Sequence, residues 1–179
     1  MCMMNRLSRT SLSKFMRFSS AREPVKIVIG AAGVFEPGWT ATEIEQLNLL
    51  KPADWRRTFE RRGSISAILA EHVWEHLSEE EGRQAARQCY QYLKPGGFLR
   101  VAVPDGFHPN PAYIDYVKPG GNGAGADDDK VLYNWRSLKE VFEDAGFEVK
   151  LLEYFDSSGR FHYANWDPVD GKILRVEQI

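Results

Sequence analysis

Four polar residues within six positions, Glu71, His72, Glu75 and His76, carry most of the chemistry open to this chain. They follow Ser64–Ala70, a small and apolar run that reads as a buried strand. Carboxylates beside imidazoles at a strand end can accept hydrogen bonds from ligand hydroxyls, take up a proton, or hold a divalent ion. A second apolar run, Phe98–Val103, leads to Asp105 and His108. His72 and His108 are the candidate catalytic bases, because imidazole titrates near neutral pH. Asp105 is the weaker candidate.

His72-Val73-Trp74-Glu75-His76 has the spacing H-x-x-E-H. In zinc hydrolysis both histidines and a distant carboxylate, here Glu148 or Glu153, would bind zinc while Glu75 activates water. That chemistry needs both histidines on one helical face. The chain instead runs straight from a strand into this motif, and the next helix begins only at Ser78, so zinc hydrolysis is not expected.

A nucleotide-like cofactor needs three things near the first strands. It needs backbone that it can approach closely, which Gly30 and Gly33 provide after the apolar run Val25–Ile29. It needs an acid to accept from ribose hydroxyls, for which Glu43 is the candidate after the β-prone stretch Trp39–Thr42. It needs an adenine slot, for which Asn48 and Leu49 are candidates. Glu71 and His72 would line the same pocket.

The elements that must hold these groups are legible in part. Ser78 with Glu81 forms a capping box at a helix start, and Lys94-Pro95-Gly96-Gly97 marks its end. Strand, helix and strand of this length make a right-handed crossover between parallel strands, with ligand sites at the carboxyl ends. Pro52 opens a shorter helix, with Trp55 and Phe59 on one face and a stop at Gly63. Gln46–Leu50 reads as a short edge strand. Residues 104–133 read as a long irregular lid with Tyr113, Tyr116 and Tyr133 as apolar walls. Within it, the run Asp127-Asp128-Asp129 reads as a solvated loop tip. Ser137 with Glu140 reads as a second capping box, opening a helix whose stripe is Leu138, Val141, Phe142 and Ala145 and which stops at Gly146. Phe147–Tyr154 and Arg160–Asn165 read as an antiparallel hairpin, and Lys172–Glu177 as a last strand.

The words EHVWEHL, LKPGG and FLRVAVPD resemble the second half of class I S-adenosylmethionine-dependent methyltransferases. The GW at Gly38-Trp39 and the segment Trp166-Asp167-Pro168 to Arg175 resemble a subgroup of predicted methyltransferases with a short second strand. The resemblance implies an α/β fold: a Rossmann-like three-layer sandwich with a mostly parallel sheet and an antiparallel C-terminal hairpin. It implies S-adenosyl-L-methionine as cofactor and methyl transfer to a small-molecule or glycan acceptor. The loop GAAGVFEPGW departs from the usual pattern, having no third glycine and no room for a helix before Trp39. Some superfamily members carry E-x-x-E-H at this point and hold a divalent ion there. Here His72 replaces the first acid while Glu75 and His76 match, so no metal is expected. A catalytically inactive cofactor-binding or protein-interaction module of the same fold is the alternative.

The chain has 179 residues and is 43% hydrophobic, enough for one compact domain, expected over 25–179. A formal net charge of −2 gives no global field toward nucleic acid or membrane, and no basic stripe with interleaved aromatics points to RNA. No apolar run approaches a membrane span. Two cysteines, Cys2 and Cys89, give no disulfide framework and fit a reducing, cytoplasmic setting. Residues 1–24 read as a basic flexible segment, whose composition over 1–22 also resembles an organelle-targeting peptide. A monomer or homodimer is expected.

Overall fold

The computed structural model describes residues 1–7 and 24–173. Seven strands form one mixed sheet: β1 (Cys2–Leu7), β2 (Val25–Ile29), β3 (Thr40–Thr42), β4 (Ile65–Glu71), β5 (Leu93–Ala102), β6 (Phe147–Phe155) and β7 (Phe161–Tyr163). Their order is β3-β2-β4-β5-β1-β6-β7. The pairs β2–β3, β2–β4 and β4–β5 are parallel, whereas β1–β5, β1–β6 and β6–β7 are antiparallel. The expected mostly parallel sheet is therefore corrected: half of the neighbouring pairs are antiparallel. The expected hairpin is present as β6 and β7.

The main departure is β1. Residues 1–7 were expected to belong to a flexible segment, yet Cys2–Leu7 fills the gap between β5 and β6, bonded on both sides. Cys2, Met3 and Met4 are buried, and the Met1 amine donates to the Val103 carbonyl at 2.8 Å. Cys-Met-Met is apolar enough to lie in a sheet centre, where each backbone group finds a partner. The expectations for residues 8–23 lie outside the described residues.

Four helices accompany the sheet: α1 (Pro52–Thr58), α2 (Glu79–Tyr92), α3 (Pro111–Val117) and α4 (Trp135–Glu143). The main core joins Trp55 of α1, Ala85 and Cys89 of α2, and Leu138 and Phe142 of α4 to Ile27, Ile68, Leu99 and Met3 of the sheet. These three helices thus share one face. On the opposite face Val28, Ala67 and Leu69 pack with Trp39, and Cys2, Met4, Ala102 and Leu152 pack with Ala164 and Trp166. That face is covered by extended chain among the described residues, so the three-layer sandwich is not established by these elements.

Arg100 follows from the strand's two-residue period. Phe98 and Ala102, two positions either side, face the extended cover, and Arg100 points the same way. Its guanidinium lies 3.8 Å from the centroid of the Trp166 ring and donates to the Gly171 carbonyl. It is buried, and the aromatic face and carbonyl replace part of its hydration.

Several boundaries differ from expectation for local reasons. Helix α2 ends at Tyr92, because Leu93 already pairs with Ile65 in the sheet. Lys94–Gly97 then bulge out of β5 rather than cap the helix. A side chain at Gly97 would meet the Lys94 and Ser66 carbonyls at 2.9 and 3.1 Å, so only glycine fits there. Helix α4 is capped by Asn134, whose Oδ1 accepts from Arg136 and Ser137, with Ser137 closing the box in place of Glu140. Gln46–Leu50 is a turn and not a strand: Asn48 Oδ1 accepts from the Leu50 N–H, a local bond that competes with sheet pairing. Lys172 and Ile173 form no strand, and 174–179 lie outside the described residues.

Candidate cofactor cleft and adjoining polar cavity

From β2 the chain passes to β3 on one side of the sheet and then, through α1, to β4 on the other. The strand order reverses between β2 and β4, and in open α/β sheets ligands bind outside the carboxyl ends of the strands at such a reversal. Gly30 ends β2 there with φ +58° and donates to the Thr42 carbonyl at 2.8 Å. A Cβ at Gly30 would lie 3.1 Å from Val73 Cγ2, so the ends of β2 and β4 meet closely. Gly33, at φ +77°, has open space around it. Glu43 follows β3 directly and is half-buried.

The two adenine-slot candidates are placed differently. Asn48 turns its side chain onto its own backbone turn. Leu49 is buried in the main core, and its carbonyl accepts from Trp55 Nε1 at 3.1 Å. Both fix the turn that carries Glu43 toward α1. Glu71 is buried at the end of β4.

His72 takes a left-handed backbone, φ +52°, which is uncommon for a residue with a side chain. This reverses the chain after β4 and turns His72 toward the single 3-10 turn Trp74–His76. His72 Nδ1 lies 2.9 Å from Glu75 Oε1. The two histidines of H-x-x-E-H do not share an α-helical face, because the motif forms a 3-10 turn over Trp74–His76.

A cavity of about 400 Å³ opens beside this turn, lined by His72, Glu75, His76, Pro104, Tyr116 and Asp129 among others. Glu75 is 2% exposed. Its backbone carbonyl accepts from the Lys130 and Val131 N–H groups at 2.7 and 3.2 Å, which docks the 118–133 segment on the turn. Asp129 thereby comes within 3.0 Å of His76, Asp129 Oδ1 to Nδ1. The two atoms are close enough to pair, but their angles do not make a hydrogen bond, and both count as buried and unbonded, as does Glu75 Oε2. Burial, and then the neighbouring Glu75 carboxylate, push the Asp129 carboxyl above the usual range.

Residues 104–133 contain the helix α3 and side-chain ties to the rest of the fold. Asn110 caps α3, accepting from the Ala112 N–H. Asp105 is a tie: Oδ1 accepts from Phe107 and Oδ2 from Phe155, joining the end of β5 to the end of β6. The structure does not leave it free as a base. His108 Nδ1 accepts from the Asn110 N–H, and its ring lies 4.1 Å from Tyr113 and 4.6 Å from Phe155 between centroids. It is not among the cavity-lining residues. Tyr116 lines the cavity, whereas Tyr133 belongs to the main core, where burial pushes its hydroxyl up to about 12.

The structure thus brings His72, Glu75 and His76 together and adds Asp129, which the sequence reading placed on a solvated tip. Asp127 and Asp128 are exposed as expected. Nothing in three identical residues marks the one that turns inward.

No protein-family model matches this chain, and no curated protein matches it in sequence. Among the described residues no helix is long and apolar enough to cross a membrane.

Proposed function

We propose that this chain is an S-adenosylmethionine-dependent methyltransferase acting on a hydroxyl of a small molecule or glycan, built on a Rossmann-like half-sheet. The observation that carries this reading is the reversal of strand order between β2 and β4. Gly30 follows β2, Glu71 and His72 stand at the end of β4, Glu43 follows β3 one strand away, and His72 also lines the polar cavity. Glu43 would accept from the ribose hydroxyls, and the cavity would hold the acceptor.

Methyl transfer is an in-line displacement. The acceptor oxygen forms the new O–C bond, the S–C bond breaks, and its electron pair stays on sulfur as a neutral thioether. The hydroxyl proton must go to a base. In the tautomer set by Glu75, Nδ1–H donates to the carboxylate and leaves the Nε2 lone pair available. His72 lines the cavity and is the base in this reading. Positioning the acceptor contributes the larger share of the rate.

Calorimetry with S-adenosylmethionine and S-adenosylhomocysteine tests this. Both should bind, and Glu43→Ala should lose most of that affinity. His72→Asn, which tolerates the left-handed backbone, should keep binding and lose methyl transfer. Absence of binding by the folded wild-type chain would remove the methyltransferase reading. Binding without turnover, in a screen of hydroxyl acceptors, would favour the inactive module.

A further inference from the structure

We propose that Glu75, His76 and Asp129 form a binding site for one divalent first-row metal ion, of the manganese or zinc type, with open coordination positions facing the cavity. The inference does not rest on methyl transfer. It rests on three ligand atoms converging from two parts of the chain, the 3-10 turn after β4 and the segment before Tyr133. Each of the three offers one ligand atom, a carboxylate oxygen of Glu75 and of Asp129 and a ring nitrogen of His76, and these lie within 4.8 Å of one another.

The second observation is the state of the Glu75 side chain. It is 2% exposed, and Oε2 has no hydrogen-bond partner. A buried carboxylate oxygen without a donor is costly, so a cation is the natural complement. Its other oxygen, Oε1, is held by His72 Nδ1 at 2.9 Å, which fixes the carboxylate and leaves Oε2 as its unpartnered atom. Metal-binding carboxylates are commonly oriented by such an outer hydrogen bond.

The His76–Asp129 distance points the same way. Nδ1 and Oδ1 are 3.0 Å apart but are not aligned as donor and acceptor. Two ligands each about 2.1 Å from a metal and at right angles are separated by about 3.0 Å. Two carboxylates neutralise a divalent charge, and one imidazole with two oxygens suits manganese, iron or zinc better than calcium. Three protein ligands leave room for water or a substrate oxygen. The His76 side chain is 39% exposed, so an ion has an entry path.

The test is titration of the metal-stripped full-length chain with Mn²⁺, followed by loss of the free-ion electron paramagnetic resonance signal, with Zn²⁺ as competitor. One ion per chain is expected. Asp129→Asn and Glu75→Gln should each weaken it by about tenfold or more, while the exposed neighbour Asp127→Asn should bind like wild type. Binding should also raise the melting temperature of wild type, and circular dichroism shows whether each variant is folded. No saturable binding of either ion by the folded wild-type chain would overturn the site. So would equal affinity in wild type and a folded Asp129→Asn. Neither S-adenosylmethionine nor an acceptor is present, so failure here leaves the methyltransferase reading standing, and the reverse also holds.

Discussion

At the scale of single residues, neighbours decide what each ionisable group can do. His72 and Asp105 both follow strands, and both carry the right atoms for a base. Asp105 has both carboxylate oxygens bonded to backbone N–H groups, whereas His72 has one nitrogen held and faces a cavity. Glu81 shows the same dependence. Lys130 bonds its carboxylate, and the Ser78 N–H and hydroxyl add to this, holding its carboxyl down to about 2 from 4.5. The unfolded chain therefore takes up this proton before the folded chain does. The stabilisation is fully present above about 4.5 and is lost as pH falls through about 2. Glu81→Gln keeps the capping geometry and removes the titration. The stability gap between wild type and Glu81→Gln should accordingly shrink as pH falls across that window, measured by urea unfolding at several pH values. The side chain faces solvent, so the effect is small.

At the scale of elements, caps and turns position the site. Helix α2 starts where Ser78 accepts from the Glu81 N–H at 3.3 Å and Glu81 accepts from the Ser78 N–H at 2.8 Å. Because the N-cap Ser78 lies two residues after His76, this cap sets where the 3-10 turn must end. Ser78→Ala should cost about 1 kcal/mol in urea unfolding. It should also loosen the turn bearing Glu75 and His76, readable as faster amide exchange at Leu77. The capping box at Ser78 is legible in the sequence because its two partners, Ser78 and Glu81, are only three positions apart. The cap of α4 was misassigned to Ser137 because Asn134 and Ser137 both have capping side chains. Which one caps depends on where Tyr133 enters the core, and spacing does not say that. Helix α3 was missed because its seven residues carry no strong apolar stripe, and only the Asn110-Pro111 start marks it.

At the scale of the whole molecule, β1 matters most. A strand formed by residues 2–7 joins β5 to β6, so the sheet is continuous only through the start of the chain. Met3 is fully buried in the main core. Met3→Ala should cost about 2–5 kcal/mol in urea unfolding, the range for truncating a buried methionine. A change below about 0.5 kcal/mol, typical of surface positions, would mean that this strand is not docked in solution.

Strands β2 to β7, helices α1, α2 and α4, and the polar cluster at the end of β4 are legible in local sequence, whereas α3 and the turn at Gln46–Leu50 are not. Apolar period, proline, glycine and capping residues act over a few positions and need no distant partner. Tertiary structure alone decided that Cys2–Leu7 inserts between β5 and β6, that Asp105 is a tie, and that Asp129 joins Glu75 and His76. Each of these joins residues far apart in the chain, and only closure of the sheet and docking of the 118–133 segment brings them together.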